Sequence, residues 1–212
     1  MNVPPTTPIP RSRFRTAEHE PLTWRQWLEL PPAITYWILL KLTGRRAKLP
    51  WIPASARREI ARLLPANARV LEVGAGMSTL WLAPRCAQII SFESDQGWCD
   101  VLQAELTRRK LDHVDLQHRW LAHEMADFSL VPDDSLDLCV IDGGPRHECA
   151  RAAPPKIKPG GCIYLDNADT NLDAKRLLLE LANDGGWSVS IHRGFPPACL
   201  YVTEGIVVRR HR

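Results

Sequence analysis

Arg69-Val-Leu-Glu-Val-Gly-Ala-Gly-Met-Ser-Thr79 sets a short apolar run directly before two glycines spaced one residue apart. Such a run reads as a strand, and Gly-x-Gly at its end lets the backbone turn sharply and approach a ligand before a helix begins. Downstream the pattern strand, turn, helix repeats. Apolar runs at 88–92, 114–117, 136–141 and 162–165 read as strands. Between them, 96–110 places Trp98, Val101, Leu102 and Leu106 at helical spacing, and 146–153 forms a shorter helix before Pro154 and Pro155. This alternation specifies a parallel sheet covered by helices on both faces. After a helix at 172–183, strand-like runs at 187–192 and 200–208 are joined by a stretch of about seven residues that begins Arg193-Gly-Phe-Pro-Pro-Ala198. That is too short for a helical crossover, so the last strand is expected to run antiparallel.

Upstream the chain has a different character. Residues 1–20 are rich in Pro, Thr and Arg without periodicity and read as a disordered or loosely attached tail. A helical cap segment is expected over 21–66, ahead of the main domain at 67–212. Thr23 and Gln26 fit a capping box, with Leu22 placed to pack on Trp27. Pro31 and Pro32 are expected to end that first helix, followed by a very apolar helix at 33–42 and a third at 55–64.

The chain's 212 residues and 45% apolar content suit one domain. A net charge of +3 does not call for a nucleic-acid partner, but the charge is uneven: residues 1–70 carry twelve Arg or Lys against four acids. No apolar run is long enough to span a membrane, and the first twenty residues lack the apolar core of a signal peptide. The segment 33–48, with Lys41, Arg45, Arg46 and Lys48, can rest on an anionic membrane surface or pack on the domain. Six cysteines without a Cys-x-x-Cys pair, several in apolar runs, read as reduced and buried in a cytoplasmic protein.

Glu72, Gly74, Ala75, Gly76 and Ser78 lie in or beside the opening turn, and Glu93 ends the second strand, where a carboxylate can accept both hydroxyls of a ribose. These features suit any adenosyl cofactor. A nicotinamide fingerprint would have a third glycine where Thr79 stands. A short-chain dehydrogenase would also need Tyr-x-x-x-Lys, yet Tyr36, Tyr164 and Tyr201 are followed four residues on by Leu40, Ala168 and Gly205.

From Arg69 to Arg209 the sequence resembles the class I S-adenosylmethionine-dependent methyltransferases. The resemblance rests on Val-Leu-Glu-Val-Gly-Ala-Gly, Ser91-Phe-Glu-Ser-Asp95 and Ile157-Lys-Pro-Gly-Gly-Cys-Ile-Tyr-Leu-Asp166. It implies a Rossmann-like, doubly wound sheet of seven strands, mostly parallel with an antiparallel last strand. It also implies that Gly74 and Gly76 lie beneath the methionine part of the cofactor, that Glu93 holds the ribose, and that Asp95 or Trp98 borders the adenine.

The fourth and fifth strands end in Asp142 and Asp166-Asn167, hard oxygen ligands of the kind that suits Mg²⁺, Mn²⁺ or Ca²⁺. They resemble the metal triad of catechol-type and caffeoyl-CoA-type O-methyltransferases, and Asp142 can alternatively anchor the cofactor. Pro145 stands where that family often carries a lysine, with Arg146 and His147 as the nearest substitutes. His147 is a candidate general base, and Arg146 can hold an anionic substrate or pair with Asp142. The resemblance implies O-methylation of a small molecule or a sugar-containing metabolite. The competing reading is a cofactor-binding protein without transferase activity, acting as a partner or membrane-surface module.

Overall fold

Burial on both faces governs the central sheet of the computed structural model, which describes residues 11, 12, 14–16 and 20–212. β1 (Arg69–Val73) sends Leu71 and Val73 into one apolar layer and Val70 into the other. The same alternation divides β4 (Leu136–Ile141), β5 (Ile157–Leu165) and β7 (Thr203–Arg210), with Ile141, Leu165 and Ile206 on the first side and Val140, Tyr164 and Val207 on the second. β2 (Gln88–Glu93), β3 (Val114–His118) and β6 (Trp187–Gly194) complete seven strands in the order β3-β2-β1-β4-β5-β7-β6. β7 is antiparallel to both of its neighbours and the other pairings are parallel, as the short turn after β6 predicts. β5 begins five residues before its expected start, at Ile157, and its register with β4 shifts between Leu136 and Leu138.

Helices cover the sheet. α4 (Met77–Leu82), α5 (Gln96–Arg109), α6 (Ala122–Met125), α7 (Arg146–Ala152) and α8 (Leu172–Glu180) follow strands in the alternating order that the sequence pattern predicts. The N-terminal helices are α1 (Trp24–Trp27), α2 (Leu30–Thr43) and α3 (Ala54–Leu63). The capping box forms: the Gln26 N–H donates to Thr23 Oγ1, and the Thr23 N–H donates to Gln26 Oε1 at 2.7 Å. Pro31 and Pro32, expected to end the first helix, instead open the second. In the first turn of a helix the missing N–H has no intrahelical partner to lose, and the fixed φ suits the helix. α3 places Ala56 and Ile60 in the same apolar layer as Val70, Leu138 and Tyr164, so it covers the sheet directly.

The tail expected at 1–20 falls partly outside the described residues. Where it is described it is attached: the Val202 N–H donates to the Ser12 carbonyl at 3.1 Å, and Thr16 is buried. All six cysteines are free and five are buried; burial pushes the Cys149 and Cys162 thiols up to about 12. Among the described residues no helix is long and apolar enough to cross a membrane.

One contact fixes how β7 meets β5. A Cβ on Gly205 would come within 2.7 Å of Tyr164 Cε2 and Cζ, in a ring that is wholly buried and hydrogen-bonded. Gly205→Ala is expected to cost about 1–3 kcal/mol. Urea unfolding should show a lower midpoint at unchanged slope, and an unchanged midpoint would contradict this packing.

Candidate cofactor cleft and carboxylate pair

The chain leaves β1 toward β2 on one side and β4 toward β5 on the other, so a crevice opens where their C-terminal ends meet. The loop after β1 lies against the loop after β4. Gly74 has φ +94°, and a Cβ there would come 2.7 Å from Gly143 N and 2.9 Å from the Asp142 carbonyl carbon. The glycine is thus required for backbone to pack on backbone. The Gly74 and Ala75 N–H groups both donate to the Phe92 carbonyl, at 2.9 and 3.1 Å.

Glu72 lies beneath this loop, wholly buried. Thr79 Oγ1 donates to Glu72 Oε2 at 2.5 Å and Ser91 Oγ to the same oxygen at 2.7 Å, while the Gly76 N–H donates to Thr79 Oγ1 at 2.8 Å. Burial raises the Glu72 pKa against those hydrogen bonds. Glu72, expected to touch the cofactor, ties the loop to α4 and β2 from beneath and is not among the residues that line the cleft in front of it.

Gly76 is the open point. Its extended backbone imposes no strain, and a Cβ there meets only Trp98 Nε1, at an ordinary 3.8 Å. The space in front of it is a cleft of about 170 Å³ bordered by Gly74, Ala75, Gly76, Ser78 and Asp142. Three side chains from elsewhere in the sequence close it: Arg46, Trp51 and Trp98. Trp98 Nε1 donates to the Ala75 carbonyl at 2.9 Å, and the Arg46 guanidinium stacks 4.4 Å from the Trp98 ring and 5.6 Å from Trp51. Arg46 and Trp51 belong to the site although no motif marks them.

Beside this cleft is a shallower one lined by Glu93, Asp95, Gly97, Trp98 and Arg46. Glu93 Oε1 accepts from the Ser94 and Asp95 N–H groups at 2.8 and 2.9 Å, which fixes its carboxylate at the end of β2. Asp95 Oδ1 accepts from the Trp98 N–H at 2.7 Å and caps α5. A glycine-bounded cleft, a fixed carboxylate one strand away and an aromatic wall together fit an adenosyl cofactor.

Asp142 and Asp166 come together on adjacent strands at the floor of the crevice. Asp142 keeps 29% of its side chain exposed, yet loss of solvent pushes its pKa up to about 6, against the nearby Arg146. Asp166 is buried, and its pKa is raised well above the usual carboxylate range by burial and by the charge of Asp142. Tyr164 Oη donates to Asp166 Oδ1 at 2.8 Å. The two carboxylates are close enough for the charge of one to act on the other.

Asn167, the third expected metal ligand, is adjacent but committed elsewhere. Its amide donates to Asp166 Oδ2, and its oxygen accepts from the Arg11 guanidinium. Arg11 also pairs with Asp169 at 2.8 and 3.1 Å. Arg146 donates to the Asp142 carbonyl and, at 3.2 Å, to Asp142 Oδ1. Hydrogen bonds from Tyr164, Asn167 and the Arg11 and Arg146 guanidinium groups thus occupy oxygens of Asp142, Asp166 and Asn167 in this arrangement.

The two candidate catalytic residues on α7 stand apart from the cleft lining. Arg146 holds the end of β4 through Asp142, while His147 Nε2 faces an Arg151 guanidinium nitrogen at 3.0 Å and its Nδ1 is buried without a partner.

Residues 71–168 match the family model of a methyltransferase domain. No curated protein gives a significant match to the sequence. Among solved structures, the chain is similar to an O-methyltransferase from Bacillus cereus in complex with SAH, with a TM-score of 0.63 at 15% identity, covering 85% of this chain and 98% of that one. A precorrin 8w decarboxylase from Methanobacterium thermoautotrophicum has a TM-score of 0.56 at 24% identity, covering 78% and 96%. An rRNA methylase from Streptococcus thermophilus has a TM-score of 0.58 at 10% identity, covering 74% and 95%. The fold is that of the class I methyltransferases, and the stretch 71–168, a little under half of the chain, matches a methyltransferase domain.

The two glycines of the loop have separable duties. Gly76→Ala should leave the thermal midpoint unchanged while weakening S-adenosylmethionine binding by about tenfold or more, because the added methyl enters the cleft. Gly74→Ala should lower the midpoint itself, since a positive φ costs an L-residue about 1–2 kcal/mol before the clash with Gly143 is counted. Melting curves and calorimetric titration of both variants check this; undiminished binding by Gly76→Ala would move the cofactor elsewhere.

Proposed function

We propose that the protein methylates a hydroxyl oxygen of a small anionic molecule, with the Asp142–Asp166 pair as its base and without a divalent cation. The observation that carries this reading is Asp142 on the lining of the glycine-bounded cleft, with Asp166 beside it at the end of the adjacent strand; loss of solvent raises the pKa of both. S-adenosylmethionine, when bound, supplies an electrophilic methyl group on a sulfonium. Glu93 accepts hydrogen bonds from the ribose hydroxyls, Trp98 and Asp95 border the adenine, and the Gly74–Gly76 loop supports the methionine part. Asp142 takes the hydroxyl proton of the acceptor as the new O–C bond replaces the C–S bond. Tyr164 fixes Asp166, which holds the proton that keeps the pair from carrying two full charges.

A second cavity supports the acceptor class. It has a volume of about 380 Å³ and walls that include Trp24, Tyr36, Phe195 and Pro197, with Arg25, Arg57 and Arg58 outnumbering Glu29. Trp24 and Tyr36 line this cavity, whereas Trp27 stacks near Phe14 and Phe195. A small acidic acceptor fits this cavity, and the O-methyltransferase of similar fold supports oxygen as the methylated atom. Six free cysteines support a reducing, cytoplasmic setting.

Release of S-adenosylhomocysteine, measured over a panel of hydroxylated aromatic carboxylic acids, tests the reading. Turnover should persist in excess EDTA, and kcat/KM should rise as pH passes about 6, because the base form of the pair is the active one. Asp142→Asn should lower kcat by about 10²–10³-fold. Turnover abolished by EDTA and restored by Mg²⁺ would overturn the metal-free mechanism.

A further inference from the structure

α2 is apolar on every side, a pattern that ordinarily means burial within a core. Here only Ala33 of its residues is buried. Ile34, Trp37, Ile38 and Leu39 are 37 to 45% exposed, and Leu42 is 80% exposed. Trp24 and Leu28, on and beside the preceding turn of helix, are 67 and 64% exposed. Isolated exposed apolar side chains need no explanation, but a contiguous run of this size marks an interaction surface.

The charges around the patch are predominantly positive. Arg25, Lys41, Arg45, Arg46 and Lys48 are all exposed along these helices and the segment after them, and the described acids there are Glu20 and the partly buried Glu29. This argues for one occupant. A second copy of the chain docking through the same face would bring like charges together across a two-fold axis, at a cost in repulsion. An anionic lipid surface instead offers hydrocarbon to the apolar residues and negative headgroups to the cations, with each Lys or Arg near such a surface contributing about 1 kcal/mol. The helix has 14 residues, too few to cross a bilayer and enough to lie in its interface. We propose that the face formed by α1, α2 and the basic segment following α2 docks the protein peripherally on an anionic membrane surface. The inference is independent of which acceptor is methylated.

Co-sedimentation of the full chain with phosphatidylcholine vesicles, with and without a share of phosphatidylglycerol, tests it. The protein should pellet with the anionic vesicles and remain in the supernatant with the neutral ones. Raising the salt concentration should release it, and tryptophan emission should shift to the blue on binding. The double variant Ile38→Glu/Leu42→Glu should lose at least about ten-fold in vesicle partitioning, and Lys41→Glu should lose a smaller factor. S-adenosylmethionine titration of the same variants should match wild type, which separates a lost surface from a lost fold. Equal pelleting with neutral and anionic vesicles would overturn the proposal. So would no pelleting together with a dimer, seen by light scattering, that Ile38→Glu/Leu42→Glu converts to a monomer.

Discussion

Two stretches of backbone in van der Waals contact set the geometry of everything else. The loop leaving β1 can lie directly against the loop leaving β4 only because Gly74 and Gly143 carry no side chains at the contact. With that approach made, Asp142 comes to the floor of the cleft whose rim is Gly76, and β5 then delivers Asp166 to its side. A methyl group at Gly74 would push the strand ends apart and separate the cofactor loop from the carboxylates it must work with. The polar ties beneath the loop, from Gly76 through Thr79 to the buried Glu72, hold one partner of this contact rigid.

Electrostatics at the crevice follow from that placement. Two carboxylates brought together with little solvent cannot both ionise at ordinary cost, which raises the pKa of each. Arg146 is bound to Asp142, and Arg11 to Asn167 and Asp169. Guanidinium groups from two distant parts of the chain thereby place positive charge beside the strand ends.

Much of this architecture was legible in the sequence because it rests on local periodicity. The apolar runs, the Gly-x-Gly turn and the short connection before the last strand each report on neighbours in the chain, and they led to seven strands with an antiparallel ending, though not to the order of the strands in the sheet. The Thr23–Gln26 cap was readable for the same reason. Pro31 and Pro32 were misread because proline is compatible with both the end of one helix and the first turn of the next, and only packing decides between them. The candidate cleft was legible where motif residues border it, at Gly74, Gly76 and Asp142, with Glu93 beside it. It was illegible where partners come from far away. Arg46 and Trp51 close the cleft, and Arg11 reaches Asn167 across more than 150 residues. No spacing rule marks such residues, so reading Asp142, Asp166 and Asn167 from the motif alone left out the guanidinium groups that contact them.

The account stands on the cleft between Gly76 and Glu93 holding an adenosyl cofactor, which calorimetric titration of S-adenosylhomocysteine into the full chain and its Glu93→Ala variant measures directly. Wild type should bind at a single site per chain, with the variant weaker by about tenfold or more at an unchanged thermal midpoint. Absence of binding to the wild-type protein, or equal affinity in the variant, would contradict the cleft as the cofactor site.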